Sequence, residues 1–164
     1  MSRGMARRLS HIDATGRLRM VNVSAKRVTA REAVARGRVF MHRRTLELIT
    51  QGRAPKGDVL TAAHLAGVMA AKRTSEIIPL AHPLPIDAVD LAFSLDHETS
   101  TVGIEARVRT RARTGVEMEA LTAVTAAALT LYDMLKAVDR GMVMGEFALW
   151  EKRGGRSGVY RRRP

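Results

Sequence analysis

The groups in this chain that can move protons or hold anions are few and far apart. Asp133 and Lys136 stand three residues apart, one turn of a helix, in a stretch of helical periodicity. That spacing suits a plain helical ion pair and suits equally a lysine oriented for acid–base work; from spacing alone the ion pair is the better reading. Lys72 continues an apolar stripe of Leu65, Val68 and Met69, where an ammonium is costly unless paired, and Glu76 one turn later is its simplest partner. Glu117 stands three residues after Thr114, the spacing of a capping box, and a site carboxylate at a helix start would look the same. Glu119 falls off the main stripe of that segment and is expected in solvent. His82, between Ala81 and Pro83 in a proline-bound loop, is either a held imidazole or a turn residue. Lys56-Gly57-Asp58 leads into a helix N-terminus, where anions bind readily. Gly154-Gly155-Arg156-Ser157-Gly158 either nests a phosphate or frays, and the tail is the simpler reading.

Absent patterns narrow the chemistry. There is no P-loop, no dinucleotide-binding glycine fingerprint, no nucleophile-elbow serine and no HExxH pair. His11, His42, His64, His82 and His97 lie in separate segments without ligand spacing, so no structural metal is expected. With no cysteine there is no disulfide framework, thiolate nucleophile or Cys-type zinc site. The net charge of +12, from 28 Lys and Arg against 16 Asp and Glu, asks for an anionic partner. Aromatic residues make up only 4%, and the few rings do not form the set a single-strand stacking platform requires. The basic N-terminus is not followed by an apolar signal region, and no apolar run approaches the ~20 residues of a spanning helix. A soluble, cytoplasmic protein is expected.

At 164 residues and 46% hydrophobic, the chain suits one globular domain, ordered from about Met20 to about Lys152, with residues 1–10 and 159–164 as tails. Met20 to Ser24 alternates like a short strand; in Val28 to Met41 the Ala and Arg content favours helix, but Ala33, Ala35, Gly37, Val39 and Met41 share one strand face, and strand is the better reading. Arg43 to Gln51 reads as a short helix closed by Gly52, and Asp58 as the N-cap of a longer one reaching about Ile78. Pro79, Pro83 and Pro85 then impose a loop. Ile86 to Asp96 and Thr101 to Arg113 form a hairpin, the second strand setting Val102, Ile104, Ala106 and Val108 against Glu105, Arg107, Arg109 and Arg111. A helix from Glu117 to about Val138 carries two stripes. Leu121, Val124, Ala128, Leu131, Leu135 and Val138 face a sheet; Met118, Thr122, Thr125, Leu129 and Tyr132 need a further cover, read as a subunit interface. Val143 to Lys152 is the last strand. The order makes an α+β fold close to the ferredoxin-like arrangement, an antiparallel sheet with helices packed on one face.

Five strings in register carry a resemblance: Lys56-Gly57-Asp58-Val59, Ala70-Ala71-Lys72-Arg73-Thr74, Ile78-Pro79-Leu80-Ala81-His82-Pro83-Leu84, Thr114-Gly115-Val116-Glu117-Met118-Glu119-Ala120-Leu121-Thr122-Ala123 and Tyr132-Asp133-Met134-Leu135-Lys136-Ala137-Val138. Together they resemble the cyclic pyranopterin monophosphate synthase family of molybdenum-cofactor biosynthesis, the MoaC family, over about residues 9 to 158. Ser10-His11-Ile12, Met20 to Lys26 and Gly154 to Gly158 fit it too.

The resemblance implies a lyase that converts a cyclised dihydroguanosine triphosphate, made from GTP by a radical-SAM enzyme upstream, into cyclic pyranopterin monophosphate with release of pyrophosphate. It implies a homo-hexamer, a trimer of dimers with active sites at the dimer interface, and no cofactor, with metal dependence left open. It also casts Lys56, Asp133 and Lys136 as catalytic, Leu80, Ala81, His82, Glu117 and Met118 as the substrate pocket, and Lys72, Arg73 and Glu119 as its lining. The ring rearrangement needs repeated proton transfers, for which a lysine with a depressed pKa is suited. Three positions depart from the usual pattern. Asn22 replaces a common Asp and cannot act as a base, Ala81 replaces a common Cys, and Arg156 a usual Lys. Two rivals stand beside this reading: a nucleic-acid-binding module using Arg107, Arg109, Arg111 and Arg113, and a catalytically silent member of the same fold.

Overall fold

The computed structural model describes residue 12 and residues 15–163. The elements are β1 (Thr29–Phe40), α1 (Arg43–Thr50), α2 (Val59–Lys72), α3 (Thr74–Ile77), β2 (Ala88–Asp96), β3 (Thr101–Ala112), α4 (Glu117–Leu135), β4 (Val143–Arg153) and β5 (Tyr160–Arg161). The strands form one sheet in the order β2-β3-β1-β4-β5, every neighbouring pair antiparallel. With β1 and β3 central and helices on one face, this is the expected α+β, ferredoxin-like arrangement.

The core lies between the sheet and α4. Ala33, Ala35 and Val39 of β1 and Val102, Ile104, Ala106 and Val108 of β3 are buried against Val124, Ala128, Leu131 and Leu135. Alternation thus placed the core face of both central strands correctly. Gly37 lets α4 come close: a Cβ there would stand 2.8 Å from Val124 Cγ1 and 2.6 Å from Phe147 Cε1. Phe147 reaches that spot because the β1–β4 register shifts between Arg36 and Arg38, a bulge in which Glu146 takes a positive φ of 56°.

Helix α2 covers a flank of α4 through small residues. A Cβ at Gly67 would stand 3.0 Å from the Ala123 carbonyl oxygen, and Ala120, Ala123 and Ala127 of α4 are buried. By length and apolar composition α4 is long enough to cross a bilayer, at 19 residues and mean hydropathy 1.2. It is nevertheless the helix that fills the core of this domain.

Four expected elements differ. Met20 to Ser24 is irregular rather than a strand, because it pairs with no sheet edge. The helix from Asp58 stops at Lys72, and Arg73 separates it from the short α3. Helix α4 ends at Leu135, with residues 136–138 forming a turn. The stretch taken as a C-terminal tail carries β5, which pairs with Glu151 and Lys152, and Arg162 N donates to Trp150 O at 2.8 Å. Residues 1–10, the other expected tail, lie outside the described residues.

Candidate active site

Asp133, in the last turn of α4, holds two lysines at once. Lys136 Nζ donates to Oδ1 at 2.7 Å. Lys56 Nζ, from the loop before α2, donates to Oδ2 and to the Asp133 carbonyl, each at 3.0 Å. Lys56 is placed by its neighbours: Ala54 is buried, Gly57 N donates to Ala54 O at 3.0 Å, and Asp58 caps α2 by accepting from Thr61 N at 3.0 Å. The helical ion pair is therefore real, but it is part of a Lys–Asp–Lys cluster that spacing does not disclose. All three side chains are about half exposed. Hydrogen bonds from Lys136 and then Lys56 hold the Asp133 carboxyl below its ordinary range. The hydrogen bond and charge of Asp133 push the Lys136 ammonium upward. The expected depression of a lysine pKa is thus reversed at Lys136, because its nearest charge is an anion and not a second cation.

The second group lines a cleft of about 420 Å³ at the other end of α4. Leu80, Ala81 and His82 form one wall, and Glu117, Met118 and Glu119 of the first turn of α4 form the other. His82 is a held imidazole: its Nε2–H donates to Val21 O at 2.8 Å. That bond ties down the irregular stretch whose Val21, Val23 and Lys26 close the cleft. The stretch is turned by Asn22, whose Oδ1 accepts from Ser24 N at 2.9 Å and Ser24 Oγ at 2.7 Å.

Glu119 is buried, only 4% exposed, rather than solvated, and burial pushes its carboxyl above the ordinary range. Its position off the main stripe aims it at the cleft, which apolar periodicity cannot distinguish from water. The capping box is also absent. The residue before the first turn of α4 is Val116, with no side-chain cap, and the Glu117 carboxyl folds over Gly115 instead. Lys26 lies in a string that fits the family but is not among the expected site residues, and the structure sets it in the cleft lining. Its only local signal was the turn it closes, with Lys26 N donating to Val23 O at 3.0 Å.

Lys72 and Arg73, at the far end of α2, are exposed and, among the described residues, make no ion pair. The apolar stripe that made Lys72 look costly is itself on the surface, with Leu65 and Met69 exposed. Because Lys56 meets Asp133 and Gly67 meets Ala123, α2 runs antiparallel to α4, and its last residues lie toward the cleft end. One chain therefore gathers its other candidates into two groups, while Lys72 and Arg73, expected to line the pocket, are not among the residues that line the cleft. Asp133 and Glu117 are sixteen residues apart on one helix, about 24 Å at 1.5 Å per residue.

The arginines of β3 belong to neither group. Arg107 pairs with Glu32 at 2.9 Å and Arg109 with Asp90 at 2.6 Å, in a lattice of charges on the open face of the sheet. A larger groove of about 900 Å³ on the sheet, with Arg36, Arg38, Trp150, Arg162 and Arg163 among its lining, contains none of the candidate residues. Arg36 there is neutralised by Glu105 at 2.7 Å and lies over the Trp150 ring.

Residues 20–155 match the model of the MoaC family. Over 152 residues the chain is 60% identical to a protein of Heliobacterium modesticaldum named cyclic pyranopterin monophosphate synthase, covering 93% of this chain and 96% of that one. Proteins of the same name from Thermomicrobium roseum and Pelotomaculum thermopropionicum are 58% and 59% identical, covering 94% of this chain and 93% and 91% of theirs.

Proposed function

The chain belongs to the MoaC family, and from that premise we propose that it is a cyclic pyranopterin monophosphate synthase whose site is assembled from two chains. The substrate is the cyclised dihydroguanosine triphosphate, and the products are cyclic pyranopterin monophosphate and pyrophosphate. The observation that carries the two-chain reading is the separation of about 24 Å between the lysine–aspartate cluster and the cleft on one helix. Two copies of α4 laid antiparallel about a two-fold axis set the cluster of each against the cleft of the other, giving two identical sites. Leu65 and Met69 of α2 and Met118 and Leu129 of α4 are exposed on these helices, apolar surface suited to such a seam. Three such dimers make the hexamer.

In this arrangement the cleft takes the heterocycle, between the wall of Leu80 to His82 and the carboxyls of Glu117 and Glu119. Lys136 enters as a cation and acts first as a proton donor, with Asp133 orienting it and Lys56 completing the relay. Closing the cyclic phosphate joins a substrate hydroxyl oxygen to the α-phosphorus and breaks that phosphorus's bond to the bridging oxygen, so pyrophosphate leaves. Lys26, Lys72, Arg73 and His82 are suited to neutralise the triphosphate and its leaving group, and the +12 charge steers it in. The radical-SAM enzyme that makes the cyclised triphosphate acts upstream, in the same compartment, taken as the cytoplasm.

Mixing two inactive variants tests this. Lys136→Ala and His82→Ala damage opposite halves of the site, so mixed dimers regain one intact site, up to about one quarter of all sites after random exchange. Pyrophosphate release recovering on mixing supports the shared site. No recovery after proven subunit exchange places both halves in one chain and overturns it.

A further inference from the structure

Just past Lys136 lies a buried carboxylate with no part in the reaction drawn above. Asp139 is 4% exposed, and its side chain joins the turn after α4 to the start of α1. Its Oδ2 accepts from His42 N at 2.9 Å and from Thr45 Oγ1 at 3.0 Å, the N-cap and a first-turn residue of α1. Its Oδ1 accepts from Gly141 N at 3.0 Å and lies 3.8 Å from His42 Nε2. Its own N–H donates to Leu135 O at 3.0 Å. Tyr132 Oη closes the same turn from the helix side by donating to Arg140 O at 3.3 Å.

Lys136 is the C-cap of α4, where backbone carbonyls lose their helical partners and the last turn tends to fray. A frayed end would carry the ammonium away from Asp133. We propose that Asp139 is a positioning residue: by clamping the turn after α4 to the first turn of α1, it holds Lys136 against Asp133. The arrangement is electrostatically consistent, because an anion is favourable at a helix N-terminus and α1 has no side-chain cap of its own at His42. Burial opposes the charge, but hydrogen bonds from His42 N, Thr45 and Gly141 N prevail and keep the carboxyl below its ordinary range.

The proposal rests on Lys136 being a proton-transfer group, and one of its readouts does not. The Lys136 amine can be titrated by NMR in the resting protein, its signal assigned by its loss in Lys136→Ala. The charged or titratable groups acting on it are Asp133, Tyr132 and Arg140. Asp139→Asn keeps the shape of the side chain but replaces one accepting oxygen by an NH₂. It should lower the pKa of Lys136 as the contact with Asp133 loosens, and reduce kcat by up to about 10²-fold with KM little changed, the scale of a catalytic group misplaced by about an ångström. Thr45→Val removes only the hydroxyl from the far side of the clamp and should move both readouts the same way, less far; it carries the test if Asp139→Asn folds poorly. Leu46→Ala, which empties the buried face of α1 without touching Asp139, is the stability control and should move neither. An unchanged Lys136 titration in a folded Asp139→Asn or Thr45→Val protein overturns the proposal, as does an equal shift in Leu46→Ala. A moved titration with full turnover upholds the clamp and refutes the catalytic role of Lys136, so the two failures are distinguishable.

Discussion

Replacing Leu129 by Ala tests whether the outer face of α4 is a seam between two chains. Leu129 leaves 58% of its surface in water. Fully burying a leucine side chain is worth about 1.5–3 kcal/mol, so covering what Leu129 still exposes is worth about 1–2 kcal/mol. A two-fold pair contains the residue twice, which brings the truncation to roughly 2–3.5 kcal/mol per dimer. At about 1.4 kcal/mol per decade, the dimer dissociation constant should rise roughly 20- to 300-fold. Analytical ultracentrifugation over a dilution series reads that constant, beside pyrophosphate release per chain in the same samples. Because each proposed site needs both chains, specific activity should fall over the concentrations at which dissociation sets in. The circular dichroism of the separated chain should not change, since Leu129 is not among the buried core residues. An unchanged dissociation constant refutes the seam. So does a variant that dissociates yet keeps full activity per chain, because a site contained in one chain would behave in that way.

Two further outcomes follow from the site. Lys136→Ala should reduce turnover about 10²-fold or more, the usual scale for a general acid or base, and Lys136→Arg should stay near that low level, because a guanidinium keeps the pair with Asp133 but does not release a proton near neutrality. Steady-state pyrophosphate release decides it, and wild-type turnover in the Arg variant returns Lys136 to a simple ion pair. Glu119 gives a stability signature: its carboxyl is raised by burial, so the stability it contributes is full below the unfolded value and is lost as pH rises through the higher folded one. Glu119→Gln should therefore unfold at a higher denaturant midpoint than wild type at about pH 8, with the two converging toward about pH 4. A midpoint no higher than wild type at the alkaline end contradicts it, and substrate turnover should fall in either case.

Much of this was legible from local pattern, and the misses have a common cause. Alternation in β3 and the stripe through Val124, Ala128, Leu131 and Leu135 specify the core because period alone selects a buried face. Asp58 reads as a cap because capping is a contact three residues long. Met20 to Ser24 alternates too, but a strand also needs an edge to pair with, and the segment instead serves His82 and the cleft. The burial of Glu119, the place of Lys26 in the cleft and the clamp at Asp139 are not legible in local pattern for the same reason: each depends on segments far along the chain, and only tertiary structure distinguishes a charged residue facing a cleft or a turn from one facing water. The Lys–Asp–Lys cluster was half visible. Asp133 and Lys136 share a helix turn, whereas Lys56 joins them across 77 residues and was grouped with them only through the family resemblance.

Asn22 is the departure that most favours a silent member of the fold, and its surroundings answer that reading. In the folded chain Asn22 is a turn former. A single oxygen, Oδ1, takes both the backbone N–H and the hydroxyl of Ser24. An aspartate would offer the same oxygen to the same two donors, so the exchange preserves the turn that sets Val21 over His82. It removes only a negative charge, from the turn beside a cleft whose lining already holds Glu117 and the buried Glu119, and the anionic substrate proposed above is repelled less by one carboxylate fewer. The proton-transfer groups proposed above, Lys56, Asp133 and Lys136, are all present and in contact. A silent scaffold would have no need to keep those three in place, the imidazole of His82 oriented and Glu119 buried at an energetic cost, all in the same chain.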